Sequence, residues 1–95
     1  MSKYDTLYQR SLVDPAGFWG EAAESLVWEK PWDKVLDLEA KPVPRWFVGG
    51  RINTCYNAID RHVEAGRGAQ AALIYDSPVT GQKRTYTYAD LLDQV

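Results

Sequence analysis

Apolar positions spaced by three and four residues predict two helices in the first quarter of the chain. The first stripe predicts a helix over residues 3–13, and the second predicts one over residues 15–26. Asp14 is a suitable N-terminal cap for the second helix. Pro15 fits its first position because the N–H that proline lacks has no helical partner there. The stripes contain Tyr4, Leu7, Tyr8, Ser11 and Leu12, and then Phe18, Trp19, Ala22, Ala23 and Leu26.

The pattern becomes irregular over residues 27–45. This stretch contains three prolines, and its apolar residues are scattered: Trp28, Trp32 and Leu36. We therefore expect an extended aromatic strap with no regular element, except for one turn around residues 33–36. A strap of this kind cannot form a core of its own, so its tryptophans should lie on another body. Whether that body belongs to this chain stays open.

The stretch from Arg45 to His62 contains an aromatic run, a glycine pair and the start of a helix, and the predicted positions of the other elements depend on it. An aromatic run, Trp46-Phe47-Val48, breaks at Gly49-Gly50, which predicts a tight reversal or a close backbone approach. A helix should begin at Asn53, a good N-cap, and run to about Ala65, with Gly66 as a left-handed C-terminal cap. Its apolar stripe is expected to face a wall of Trp46, Phe47 and the strand 73–75, or a body outside this sequence. That stripe contains Ile52, Cys55, Tyr56, Ile59 and Val63.

The last quarter predicts a β-hairpin followed by the start of a helix. Residues 71–75 form a short apolar run, residues 84–88 alternate Thr and Tyr, and residues 78–82 between them have turn chemistry. Thr87 should cap the final helix, with Asp90 completing a capping box. The stripe of this helix is unfinished at Val95. We therefore expect the sequence to be part of a longer polypeptide.

Composition narrows the classes of protein to consider. The 95 residues are 45% hydrophobic, 25% charged and 13% aromatic, with a net charge of -2. The absence of a basic run argues against a nucleic-acid surface. No apolar segment is long enough to span a membrane, and no signal peptide is indicated. The single cysteine, Cys55, fits a reducing compartment.

Several residues invite a chemical interpretation, but a simpler one is favoured for each. Residues 80–83, Thr-Gly-Gln-Lys, faintly resemble a phosphate-binding run, although a hairpin turn is the better prediction. Asp60, Arg61 and His62 are consecutive on a helix and so point in different directions. We expect Asp60 or His62 to pair locally and Arg61 to hold a carbonyl or carboxylate.

The remaining candidates also favour structural roles. His62 is the only histidine, and its spacing to Cys55 matches no zinc pattern. Cys55 should be a small buried hydrophobe. Asn57 should bond to a backbone group of the strap. We predict no catalytic, cofactor-binding or metal-binding residue in the chain.

In order and spacing, the chain resembles the N-terminal part of AMP-forming short-chain acyl-CoA synthetases, and propionate–CoA ligases most of all. The resemblance covers essentially the whole chain, and the block from Arg45 to His62 is its most specific part. The remaining matching residues are Tyr8-Gln9-Arg10-Ser11, Asp14-Pro15, Phe18-Trp19, Trp28, Ala72-Leu73-Ile74-Tyr75 and Thr87-Tyr88-Ala89-Asp90-Leu91.

The resemblance implies an α+β fragment of a cytoplasmic ligase. Residues 1–68 would be the N-terminal extension, and residues 69–95 would begin the large AMP-binding, adenylating domain. The parent would use ATP, Mg and CoA to convert a short carboxylic acid to its acyl-CoA through an acyl-adenylate. The catalytic residues would all lie downstream, so the fragment alone would be inactive, would bind no cofactor, and would have the rest of the ligase as its partner.

Two alternatives stay open at this point. The chain could be a stand-alone interaction module that grips a protein partner with Trp28, Trp32 and Trp46, since aromatic residues are enriched at interfaces. It could also be the same fragment of a ligase for acetate or 3-hydroxypropionate, because the acid pocket is outside this sequence.

Overall fold

Both predicted N-terminal helices form in the computed structural model, which describes all 95 residues. Helix α1 spans Lys3–Val13 and α2 spans Pro15–Ala23, three residues shorter than predicted. The Asp14 carboxylate accepts a hydrogen bond from the Gly17 N–H at 3.0 Å, which confirms the predicted cap. Ser2 and Asp5 form a capping box at the start of α1 that the stripe did not reveal.

The prediction of an irregular strap is wrong. Strand β1 (Trp28–Lys30) pairs antiparallel with β4 (Arg51–Ile52), and β2 (Lys34–Asp37) pairs antiparallel with β3 (Arg45–Val48). The prolines lie between the strands, so no strand loses a ladder N–H to proline. The partners are far apart in sequence, and a local pattern cannot reveal that kind of pairing.

Trp28 and Trp32, which were predicted to lie on another body, pack against side chains of the same unit. Trp28, Trp32 and Phe47 form an aromatic cluster, with ring centroids 5.0 Å apart for the two tryptophans and 5.3 Å from each of them to Phe47. The Trp28 indole N–H donates to the Ala23 carbonyl at 2.9 Å. Ala23 is nevertheless the only buried hydrophobic residue of the chain.

A tight reversal joins β3 to β4, as the glycine pair predicted. The Gly50 N–H donates to the Phe47 carbonyl at 3.0 Å, and Gly49 has a φ of 77°. Phe47 itself has a φ of 49°, a strained value for a bulky residue. A Cβ on Gly50 would lie 2.8 Å from Cζ3 of Trp28, so the close backbone approach is also present.

The second helical stretch forms between residues 54 and 67, but not as a regular α-helix. It contains two π-helical turns, Tyr56–Asp60 and Val63–Arg67. Asn53 caps it, accepting the Tyr56 N–H at 2.9 Å, and Gly66 adopts the predicted left-handed conformation with a φ of 85°.

The apolar stripe predicted for this helix is confirmed only in part. Tyr56, Ile59 and Val63 are half-buried, as the stripe predicts. Ile52 and Cys55 are exposed, and the buried residue is Asn57, which the stripe does not include. A π turn closes from residue i to i+5, so residues spaced by three and four no longer line up on one face.

The predicted hairpin is confirmed and is longer than expected. Strand β5 (Ala71–Ser77) pairs antiparallel with β6 (Gln82–Thr87), and helix α3 (Tyr88–Gln94) follows. The Thr87–Asp90 capping box is present, with bonds of 2.9 and 3.1 Å. Helix α3, and not the predicted strand 73–75, packs against the π-helical turns.

The fold is thus a small α+β arrangement of helices and short two-stranded sheets, as predicted. It divides into two compact units, Met1–Ile52 and Asn53–Val95. The family boundary predicted between residues 68 and 69 falls inside the second unit and stays a prediction.

The contact at Gly50 generates a testable prediction. Gly50→Ala should lower the free energy of unfolding of the full-length parent by about 1–3 kcal/mol, the usual cost of overpacking, because the new methyl group meets the Trp28 ring and the Phe47 carbonyl. Calorimetric unfolding measures this. Gly68→Ala is the matched control, because its Cβ would be 3.6 Å from its nearest neighbour. Equal melting temperatures for the two variants would contradict the prediction.

Candidate functional site

The first unit contains an apolar groove. Its volume is about 420 Å³, and we call it the α2 groove. One wall comes from helix α2 and the turn after it, and the other comes from the strands. The residues that shape it are Trp19, Ala22, Leu26, Trp28, Phe47 and Ile52.

Local sequence explains why a groove forms here. Trp19 and Ala22 are three residues apart, which places them on one side of helix α2, and Leu26 lies in the turn that follows the helix. Ala22 is small, so a gap is left between two large side chains. Ile52 forms part of the opposite wall because β4 pairs it with Trp28.

The groove offers only apolar contacts. None of its lining residues is charged, and the hydroxyl of Ser25, its one polar side chain, donates to the Ala22 carbonyl at 2.9 Å. An apolar lining without converging polar groups can bind an apolar surface but has no group that could transfer a proton or stabilise a developing charge.

A charged cluster beside the groove joins the two helices. Arg10 of α1 forms an ion pair with Glu21 of α2, and the Arg10 guanidinium lies 5.9 Å from the ring centre of Phe18. The hydrogen bond from Arg10, and then its positive charge, hold the pKa of Glu21 below its ordinary value. This cluster fixes α1 on α2, and neither partner is buried enough for unusual acid–base chemistry.

The three consecutive candidates of the second unit, Asp60, Arg61 and His62, have separate local neighbours. The Arg61 Nε donates to the Asn57 carbonyl at 2.9 Å, and the Cys55 thiol lies 3.8 Å from an Asp60 carboxylate oxygen. The His62 Nδ1 lies 3.1 Å from a guanidinium nitrogen of Arg67. The predicted local pairing is confirmed, and each side chain has a different neighbour.

Asn57 has a backbone partner, as predicted. Its amide nitrogen donates to the Asn53 carbonyl at 3.0 Å, within its own helix, and not to the strap as expected. Cys55, predicted to be buried, is an exposed thiol.

The hairpin turn covers residues 78–81, so Thr80 and Gly81 lie in it as predicted, whereas Gln82 and Lys83 begin strand β6. The Gly81 N–H donates to the Ser77 carbonyl at 2.9 Å, and the Lys83 ammonium lies 3.6 Å from the Asp76 carboxylate across the two strands. No group of three or more His, Cys, Asp or Glu side chains could hold a metal ion.

The groove itself was not predicted from the sequence. The helical wall could have been predicted from Ala22 and Ala23, which stand between Trp19 and Leu26 in the sequence. Small residues between large ones leave a depression in the surface. The other wall could not be predicted, because it requires the pairing of β1 with β4.

The family model for the acetyl-coenzyme A synthetase N-terminus matches residues 4–58, which include every residue lining the groove. The chain belongs to this family. It is 53% identical, over 99% of its length, to the acyl-CoA synthetase short-chain family member 3, mitochondrial, of Homo sapiens. It is 47% identical to an acetyl-coenzyme A synthetase of Deinococcus radiodurans and 44% identical to one of Mycobacterium tuberculosis, over 99% and 94% of the chain.

These relatives are much longer than the chain, which spans 14% of the length of each of them. The chain is therefore similar to the N-terminal segment of a short-chain acyl-CoA or acetyl-CoA synthetase. None of its own helices is long and apolar enough to cross a membrane.

The environment of His62 generates a prediction. Partial burial, and then the charges of Arg67 and Arg61, lower the pKa of His62 below its ordinary value of 6.5. The folded state therefore binds this proton more weakly than the unfolded state, so stability is lost as the pH falls from about 6.5 towards the folded pKa.

Arg67→Gln should raise the pKa of His62 towards 6.5, because it removes the nearer cation. The chain has a single histidine, so one imidazole proton signal in an NMR titration reports the value. Lys83→Gln is the control, since Lys83 is not among the charges that shift this pKa. A wild-type pKa at or above 6.5 would contradict the prediction.

Proposed function

We propose that the chain is the N-terminal structural segment of an ATP-dependent, AMP-forming ligase that converts propionate to its acyl-CoA through an acyl-adenylate. The observation that carries this proposal is the 53% identity with the human short-chain family member, above the 47% and 44% identity with the two acetyl-coenzyme A synthetases. The residues quoted above for the resemblance to propionate–CoA ligases support the choice of acid.

The structure supports a scaffolding role for these residues. Their best-defined interactions are helix caps, the aromatic cluster and the contact of Gly50 with Trp28, all of which hold backbone segments together. The acidic side chains form no cluster that fits a magnesium ion. We propose that the contacts with ATP, Mg and CoA, and the chemistry, lie in the rest of the ligase, as the resemblance implies.

Residues 69–95 are proposed to begin the adenylating domain. The hairpin exposes Leu73 and Ile74, at 49% and 72%, which fits strands that further chain would cover. We propose a cytoplasmic location, although the human relative is named as a mitochondrial protein.

A second candidate function is a stand-alone protein-interaction module. The exposure of Trp19 and Trp46, 48% and 46%, favours it. The packing of Trp28 on Trp32 and Phe47 counts against it, because two of the three tryptophans expected to grip a partner already contact each other.

The test is acid-dependent pyrophosphate release by the purified full-length parent with ATP. We expect release with propionate to exceed release with acetate and 3-hydroxypropionate at equal concentrations. The 95-residue chain is the matched control, and its release should equal the buffer blank. A preference of the parent for acetate would overturn the choice of acid, and release by the short chain would overturn the scaffolding role.

A further inference from the structure

In the second unit, two backbone hydrogen bonds join the turn at residues 68–70 to the start of helix α3. The Tyr88 N–H donates to the Gln70 carbonyl at 3.1 Å. The Ala89 N–H donates to the Gly68 carbonyl at 3.0 Å. Both N–H groups lie in the first turn of α3, where a helix offers them no partner of its own. Their protection from solvent therefore depends on the turn staying in place.

The guanidinium of Arg67 holds this turn from the side. Its Nε donates to the Gln70 side-chain oxygen at 2.9 Å, and its Cζ lies 5.5 Å from the centre of the Tyr88 ring. A terminal nitrogen of the same group lies 3.1 Å from the His62 Nδ1, and the imidazole lies 5.1 Å from the same tyrosine ring. Arg67 thus connects the turn, the imidazole and the first residue of α3.

The hydrogen bond between Arg67 and His62 requires a neutral imidazole. A guanidinium carries N–H donors and no acceptor, so the His62 Nδ1 must accept and its proton must lie on the other ring nitrogen. A proton taken up from solvent would occupy Nδ1. It would remove the acceptor and place two positive charges side by side, which is unfavourable. Arg67 would then have to move away.

The groups around the imidazole determine the pH at which this happens. Partial burial, and then the charges of Arg67 and Arg61, hold the pKa of His62 below 6.5, while a hydrogen bond with the Asn57 carbonyl acts in the opposite direction. From α3 the ring faces Tyr88. The carboxylates of the two elements are not among the charges that act on the ring: Asp60, Glu64, Asp90 and Asp93. The imidazole is therefore neutral at about pH 7 and gains its proton in mildly acidic solution.

We propose that His62 is a pH-dependent latch between the helical stretch 54–67 and helix α3. In its neutral form it holds Arg67 over the Tyr88 ring and keeps the turn 68–70 on α3. In its protonated form it releases Arg67, and the first turn of α3 loses the carbonyl partners that the turn supplies. The latch does not depend on the proposed reaction, because it requires neither a substrate nor a partner.

Hydrogen–deuterium exchange of the full-length parent at about pH 7.5 and about pH 5 tests the latch. Mass spectrometry with fragmentation resolves single amides, and each exchange rate is corrected for the intrinsic effect of pH. We expect the Tyr88 and Ala89 amides to exchange several-fold faster at the lower pH. The amides of the β5–β6 ladder are the internal reference and should keep their protection.

His62→Asn separates the charge of the side chain from its hydrogen bond. Asparagine is uncharged at both pH values and has an acceptor oxygen near the place of Nδ1, so the two amides should stay protected at both. Lys83→Gln, which removes a cation that does not act on His62, is the matched control and should keep the wild-type pH response. If His62→Asn lowers the soluble yield, Arg67→Gln takes its place, and the two amides should then exchange fast at both pH values.

Three results would overturn the latch. The first is equal corrected exchange of the Tyr88 and Ala89 amides at the two pH values in the wild type. The second is a pH response that persists in His62→Asn or in Arg67→Gln. The third is a loss of protection that extends through the β5–β6 ladder, because it would mean general unfolding at low pH in place of a local release.

Discussion

The first unit depends on the contact of three aromatic rings, those of Trp28, Trp32 and Phe47. Phe47 adopts a left-handed backbone conformation that costs a bulky residue free energy. The same conformation lets β3 reverse into β4, which then pairs with β1 beside the Trp28 ring. Packing of the rings offsets the local strain, and the reversal keeps the rings together, so the two features stabilise each other.

The elements that were predicted correctly are those that short-range chemistry determines. Asp14, Asn53 and Thr87 are caps whose partners lie three residues away, and Gly66 adopts its left-handed conformation through its own backbone freedom. A cap can be recognised in a short window because everything it needs is in that window.

The errors occur where the deciding contact is distant or the helix is irregular. The strands β1 and β2 pair with residues at least eight positions further along, beyond prolines that made the stretch look irregular. Asn57 is buried and Cys55 is exposed, contrary to the predicted stripe, because the residue spacing of an α-helix does not apply to π-helical turns. For the same reason only one wall of the α2 groove, the helical one, could be predicted.

The hydrogen bonds of this chain are consistent with the N-terminal segment of a synthetase, the family to which the chain belongs. Most of the side-chain hydrogen bonds join residues no more than five positions apart, as in the bond from Arg61 to the Asn57 carbonyl. Such pairs fix the backbone and leave few groups to act on a substrate. In the proposed scaffolding role, the segment would contribute shape and attachment to a synthetase, whose reaction requires other groups that bind and polarise its substrates.

The distribution of aromatic and imidazole rings has a practical consequence. All four tryptophans, Trp19, Trp28, Trp32 and Trp46, lie in the unit Met1–Ile52, and the only histidine lies in the unit Asn53–Val95. Indole emission from the 95-residue chain therefore originates wholly in the first unit. The imidazole resonances originate wholly in the second, so the melting of each unit has its own spectroscopic signal without any added label.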